Sequence, residues 1–439
     1  MTEAMLTPWG EALDREHPLP EYPRPQLRRN SYLNLNGIWE YAITKTAEKP
    51  AAMQGEIVVP FSPETPLSGV GHLLQPDEYL WYRRSVTLPE GFFRGGRLLL
   101  HFGAVDQCCT VWVNGQEAGS HTGGYLPFTL ELTDLLPADT LTLELRVTDP
   151  TDTGSLSRGK QRLKNTGIWY TPQSGIWQTV WMECVPENYL RSLRITPKPE
   201  ENAVHIRLEA DDPAMAVVTI CRDGGIIAEG QTDENGESTL TIPAEELRLW
   251  SPENPFLYDA AITLAGGDKV VSYFGMRAFG IGRDEKGLPR LLLNGKPYFQ
   301  NGLLDQGYWS DGYYTAPSDE ALIHDIAEMK RLGFNMLRKH IKAEPLRWYY
   351  HCDRLGMLVW QDMMNGGYSP LSIYVFSNLG LRVKDDRYRY FSRSDEAGRT
   401  HYYEELGQMI DLLYNTVSLA LWVPFNEGWG QFDALKAAE

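Results

Sequence analysis

The chain has 439 residues, enough for about two to four domains with sizeable cores, and its 42% hydrophobic and 23% charged content is that of a globular protein. With 41 basic against 58 acidic side chains the net charge is −17, which repels phosphate backbones and anionic membranes and excludes nucleic acid and membrane surfaces as partners. The opening MTEAMLTPWGEALDREHPLP lacks a basic segment followed by an apolar one, no apolar run approaches about 18 residues, and the five cysteines lack metal-ligand spacing, so a cytoplasmic protein with free thiols is expected.

From about residue 20 the chain is strand-rich and turn-punctuated. NLNGIWEYAI, YLWYRRSVTL, GRLLLHFGAV, CTVWVNGQEAG, TLTLELRVTD and GIWQTVWMECVP follow at short spacing. Asn114-Gly115, set between a β-branched run and Gln116, is a two-residue hairpin signal. Many short strands joined by Gly, Pro and Asn turns predict a jelly-roll β-sandwich over residues 1–185. Between Asp149 and Gly167 lies DPTDTGSLSRGKQRLKNTG, polar, basic and too long for an idle connection. Its Arg158, Lys160 and Gln161 either reach a substrate mouth or are solvated charge, and solvated charge is the simpler expectation.

Residues 186–282 offer about seven further strand candidates, a number and size that fit an immunoglobulin-like β-sandwich. Pro252 and Pro255 make LWSPENPFLY a turn segment within it. From 283 to 439 the pattern alternates between strand and helix. PYFQNGLLDQ reads as strand one, and Ser318 as the N-cap of a helix whose Leu322, Ile326 and Met329 share a face before Gly333 ends it. FNMLRKHI is strand two, PLRWYYHCDRL a helix closed by Gly356, and MLVWQDM strand three. A Tyr-, Ser- and Arg-rich insertion covers 364–393, and a helix from Ser394 to about Tyr414 leads to strand four. Four β/α units in roughly 150 residues, where a closed barrel takes about 250, predict the first half of a (β/α)₈ TIM barrel.

Strand four, Val417 to Phe425, is an apolar run that reads as buried on both faces. At its C-terminal end stand Asn426 and Glu427, between Trp422 and Trp429. Catalytic groups of such barrels sit at strand C-termini, and a carboxyl group beside an amide and indole rings suits protonation of a sugar oxygen. Trp422, Phe425 and Trp429 are the candidate apolar walls that would keep such an acid protonated.

Several segments together resemble family 2 of the glycoside hydrolases, the β-galactosidase, β-glucuronidase and β-mannosidase group. VWVNGQEAGSHTGGYLPFTLELTD and GIWQTVWMECV resemble its sugar-binding jelly roll, and LWSPENPFLYDAAITL with SYFGMRAFGI its immunoglobulin-like domain. LLLNGKPYFQNG resembles the entry to its barrel, and WVPFNEGWG the segment bearing its acid/base. The resemblance implies Glu427 as general acid/base and Asn426 as a hydrogen-bond partner of the sugar 2-hydroxyl. It implies His340 as a substrate contact with Arg338 beside it, and Asp362 as the acidic residue ending strand three. Where β-galactosidases carry a histidine-rich run after strand one, this chain has NGLLDQGYW, so Asp305 and Gln306 occupy that place. The family nucleophile is a Glu near the end of strand seven, and none is expected within these residues.

The expected activity is that of a retaining exo-β-glycosidase acting on a carbohydrate substrate, most like a β-galactosidase, with β-glucuronide or β-mannoside as alternatives. A non-catalytic carbohydrate-binding protein or inactive fragment is the rival. Arg338 either contacts substrate or braces Asp362, while Trp309, Tyr308, Trp360 and Trp429 either stack on sugar or pack the mouth. No zinc-like ligand cluster or phosphate-binding Gly-rich loop is found, so no cofactor or metal is expected. Unpaired edges of a half-barrel favour association, with a homo-oligomer as one form of it, or partial disorder.

Overall fold

The computed structural model describes residues 5–93, 95–135, 140–367, 384–428 and 430–439. Its first sheets form a sandwich. A six-stranded sheet runs in the order Gly55–Val59, Gly37–Thr44, Tyr79–Thr87, Thr140–Thr148, Cys108–Val113 and Gln116–Thr122. A four-stranded sheet faces it, in the order Leu33–Asn34, Val180–Val185, Arg97–Phe102 and Phe128–Glu131. Alternation does the folding: Cys108–Val113 buries every second side chain, so Cys109, Val111 and Val113 enter a core with Leu98, Leu100, Leu143 and Leu145. Burying each such side chain stabilises by about 1.5–3 kcal/mol. Asn114 and Gly115 close the hairpin with φ of 52° and 80°, the geometry a two-residue turn demands.

The second sandwich packs a three-stranded sheet, Ser192–Lys198, Ala203–Glu209 and Glu237–Thr241, on a four-stranded sheet from Val217 to Phe274. All strand pairs in both sandwiches are antiparallel. A hairpin of Phe279–Arg283 and Pro289–Leu293 follows.

The remaining sheet is parallel, with strands β1 (Gly302–Asp305), β2 (Met336–Lys339), β3 (Leu358–Asp362) and β4 (Leu419–Val423) in sequence order. Helices α1 (Asp319–Arg331), α2 (Leu346–Leu355) and α3 (Glu396–Leu413) connect them. The Ser318 hydroxyl accepts from the Ala321 amide at 3.2 Å to cap α1, and Gly333 follows its end at φ 92°. Leu337 and Val359 face the helices and share a core with Leu322, Ile326 and Trp348, joined by Tyr125 and Trp177 of the first sandwich. Met336 and Leu358 instead meet Trp250 and Tyr273 of the second sandwich.

Strand β4 corrects one expectation. Only Leu419 is buried, and Ala420 to Val423 are half-buried. Its helix-facing side is covered, but β1 and β4 are the two edges of the sheet, and Leu304 on the opposite face of β1 is 49% exposed. Of the 364–393 insertion, 368–383 lie outside the described residues. No described helix is long and apolar enough to cross a membrane.

Candidate active site

The parallel strands all end on one side, and the chemistry-bearing residues collect there. Arg338, on β2, donates from Nε to Asp362 Oδ1 at 2.8 Å and from Nη2 to Asp362 Oδ2 at 3.0 Å. The same Nη2 reaches Asn426 Oδ1 at 2.9 Å. His340 Nδ1 lies 2.9 Å from Asp362 Oδ2. One buried carboxylate thereby holds the ends of β2 and β3, and the arginine it orients holds the residue after β4. Charge-assisted, two-pronged bonds of this kind fix orientation as well as distance. Of the two readings of Arg338, substrate contact or brace, the bonds to Asp362 supply the brace, and its reach to Asn426 lay in neither. Asp362 is fully buried with both oxygens engaged, so it acts by orienting Arg338 and His340.

Asn426 is itself buried. Its Oδ1 is taken by Arg338, which turns its Nδ2 into a buried donor without a partner among the described residues. An unmet buried amide costs about 1–3 kcal/mol, a cost that a ligand acceptor removes. Glu427 follows in the left-handed region at φ 52°, a conformation that costs a non-glycine residue about 1 kcal/mol or more and concentrates at functional sites. The turn is clamped from behind: Arg393 donates to Gly430 O at 2.9 Å and to Asn365 Oδ1 at 2.8 Å. Glu427 is exposed. Phe425 stacks on Tyr402 of α3 with ring centroids 5.0 Å apart, and Trp422 packs on the helix side, in register with Gln361. Both side chains are thus taken up by the helix-side core rather than standing as walls around the carboxyl group. Trp429 lies outside the described residues.

After β1, Asp305 Oδ1 accepts from its own Gly307 amide at 2.9 Å, and Oδ2 pairs with Lys339 at 2.9 Å. Lys339 and Lys342 both bond Glu344 Oε1, at 2.8 and 2.9 Å, and Lys342 also donates to Gly307 O and Tyr314 O. Burial pushes the Lys342 ammonium down to about 8 against the pull of Glu344. For Lys339 burial acts the same way, but Asp305 and Glu344 outweigh it and its pKa is raised. Sequence reasoning passed over this Lys-Lys-Glu strut. The alternation of charge in RKHIKAE was its only trace. Ile341, between them, sits at φ 54°, a strained position for a β-branched residue that turns His340 and Lys342 off the strand line.

Trp309 meets Trp9 edge-on at 6.2 Å, Trp360 bonds Gln300 from its indole, and Tyr308 packs on Tyr170 at 4.4 Å. All three find partners within the protein.

The long loop of the first sandwich overturns the solvated-charge expectation. Arg158 and Gln161 are each about 1% exposed. The Arg158 and Gly159 amides donate to Asn365 O at 3.0 and 2.9 Å, and Arg158 Nη1 to Gly367 O at 2.6 Å. Gln161 bonds Asp106 and Tyr125. Lys160 is half-buried and donates to Gln306 Oε1 at 3.0 Å, where Tyr170 OH also donates. Burial lowers the Lys160 ammonium from its ordinary value, while the negative charges of Glu427 and Asp362 pull the other way.

Comparison with known proteins matches residues 74–182 to the sugar binding domain of glycosyl hydrolases family 2, and residues 188–277 to a second family 2 domain. A putative beta-glucuronidase of Formosa agariphila is 26% identical over 299 residues, covering 64% of this chain and 34% of that protein. A beta-galactosidase of Thermoanaerobacter pseudethanolicus is 22% identical over 319 residues, covering 66% and 40%. The chain thus spans about a third to two fifths of the length of these relatives. Among solved structures, a beta-D-glucuronidase of Dictyoglomus thermophilum superposes with a TM-score of 0.73 at 19% identity, over 93% of this chain and 69% of that one.

Proposed function

The chain belongs to family 2 of the glycoside hydrolases, and from that premise we propose that its parallel sheet is the first half of a (β/α)₈ barrel carrying the acid/base wall of a retaining exo-β-glycosidase. The observation that carries this reading is the Asn426–Glu427 pair. Arg338 fixes the carboxamide so that its unpartnered Nδ2 is offered to an acceptor, and Glu427 is held next to it at the end of β4. In this reading Asn426 donates to the sugar 2-hydroxyl. Glu427 protonates the glycosidic oxygen and then takes a proton from the attacking water. His340 and Arg338, locked by Asp362, keep the wall in place.

A retaining mechanism needs a second carboxyl group about 5–5.5 Å from the first. Asp305 and Asp362 are both tied to cations, so neither serves as nucleophile. Residues 1–439 alone are expected to bind a glycoside weakly without turning it over. That supports the carbohydrate-binding reading for these residues by themselves. Relatives named for both β-glucuronides and β-galactosides leave the sugar open between those classes, and the solved glucuronidase favours the former.

The test is hydrolysis of aryl β-galactoside, β-glucuronide and β-mannoside by the full-length protein. Glu427→Gln should slow glycosides with poor leaving groups about 10²–10⁴-fold and activated aryl glycosides much less. Equal losses on both would remove Glu427 from the acid role.

A further inference from the structure

The loop of the first sandwich that carries Arg158, Lys160 and Gln161 is docked on the parallel sheet. Its backbone is strapped across the end of β3 by the Asn365 contacts, and Ser157 bridges to Gly366. A Cβ at Gly159, where φ is +61°, would meet Tyr125 OH at 2.7 Å and Ile341 O at 2.9 Å, so the loop is pressed against the end of β2 as well. Lys160 follows in sequence and reaches Gln306 beyond β1. Its position is set by three strand ends.

Its charge is met by no ion pair among the described residues. Arg338 has Asp362, Lys339 has Asp305 and Glu344, and Lys342 has Glu344. Among the described residues Lys160 has no ion-pair partner, only the neutral Gln306 oxygen and the Tyr170 ring 5.9 Å away. Glu427 and Asp362 act on it only through space, and a half-buried ammonium that makes no ion pair keeps an electrostatic cost that a bound anion lowers. The chain as a whole, at a net −17, repels anions, so an acidic ligand needs a local cation of this kind.

We propose that Lys160 reads an anionic group carried by the sugar ring, a carboxylate or a sulfate ester, and so directs the site to acidic glycosides over neutral ones. The inference rests on the glycosidase reading of the same site. It assigns substrate selection to a residue of the sandwich rather than of the parallel sheet. A charge-assisted bond of this type corresponds to about 10–100-fold in affinity.

The experiment titrates the full chain by calorimetry with methyl β-D-glucuronide, with its neutral methyl ester, and with methyl β-D-galactoside 6-sulfate. Wild type, Lys160→Met and Lys160→Arg are compared after thermal melts establish that each is folded. Wild type should bind an acidic glycoside at least about 10-fold more tightly than the neutral ester, with a preference that shrinks as salt rises. Lys160→Met should erase the preference and Lys160→Arg keep part of it. Preference for the glucuronide assigns a carboxylate, and preference for the sulfated galactoside assigns a sulfate. A preference that is absent in wild type, or that survives in Lys160→Met, overturns the proposal. In the full-length protein, neutral glycosides that are hydrolysed in a Glu427-dependent way without any acidic preference would remove Lys160 as reader and leave the glycosidase reading intact. Loss of all glycoside binding and turnover would remove both.

Discussion

Asp353 and Asp362 are both fully buried, one beneath the N-terminal ends of the parallel strands and one at their C-terminal ends. Asp353 accepts from neutral donors, the Ser418 amide at 2.7 Å and Tyr273 OH at 2.9 Å, and its backbone oxygen takes the Trp250 indole at 2.8 Å. Burial pushes its carboxyl up to about 6 in spite of those bonds. Asp362 accepts from Arg338 and His340. The first aspartate docks the sheet on the second sandwich through bonds from neutral donors. The second organises cationic and amide groups around an open mouth. Two side chains of the same type and burial thus sit among neutral donors at one end and around the proposed recognition site at the other, and the donors around them make the difference.

The sharpest way to break this contrast is at the mouth. Glu427→Gln should lower kcat of the full-length enzyme on unactivated glycosides about 10²–10⁴-fold, while shifting unfolding stability by less than about 0.5 kcal/mol because the residue is exposed. A large stability loss measured in urea would mean that the mouth, too, is structural. Next in size, Asp362→Ala leaves Arg338 and His340 without their shared anion and should destabilise by about 3–5 kcal/mol. The urea midpoint reads this, and a change within error would show that the brace contributes nothing net.

At the opposite end the effects should be smaller and confined to stability. Asp353 holds its proton more tightly folded than unfolded, so its contribution is complete below about pH 4 and is lost as pH rises through about 6. Asp353→Asn, which keeps an acceptor for Ser418, should flatten that decline by on the order of 2 kcal/mol between pH 4 and 7. Parallel stability profiles for variant and wild type would contradict it. The least effect belongs to Tyr273→Phe, which removes one hydrogen bond and should cost about 1 kcal/mol with kcat/KM unchanged. A fall in kcat/KM there would show that the two ends are coupled.

The residues that announce themselves in the sequence are those whose role is local. Period-two runs gave the strands of both sandwiches, Asn114-Gly115 the hairpin, and Ser318 and Gly333 the limits of α1. Asn426 and Glu427 stood at a strand end because an apolar run stopped before them. Their neighbours were misjudged because the chain leaves the strand after Val423: Trp422 on the strand and Phe425 beyond it both pack on the helix side.

By itself, then, the sequence determined the order of two β-sandwiches and a parallel β/α unit, and the acidic and amide groups ending its strands. Each follows from residue pattern within a few positions. Only the tertiary structure decided that Arg338 joins Asp362 to Asn426, that Lys339, Lys342 and Glu344 form a buried strut, and that Lys160 reaches Gln306 from 146 residues away in sequence. Those contacts depend on how separately folded layers dock, and no periodicity within a strand or loop carries the position of a partner in another layer.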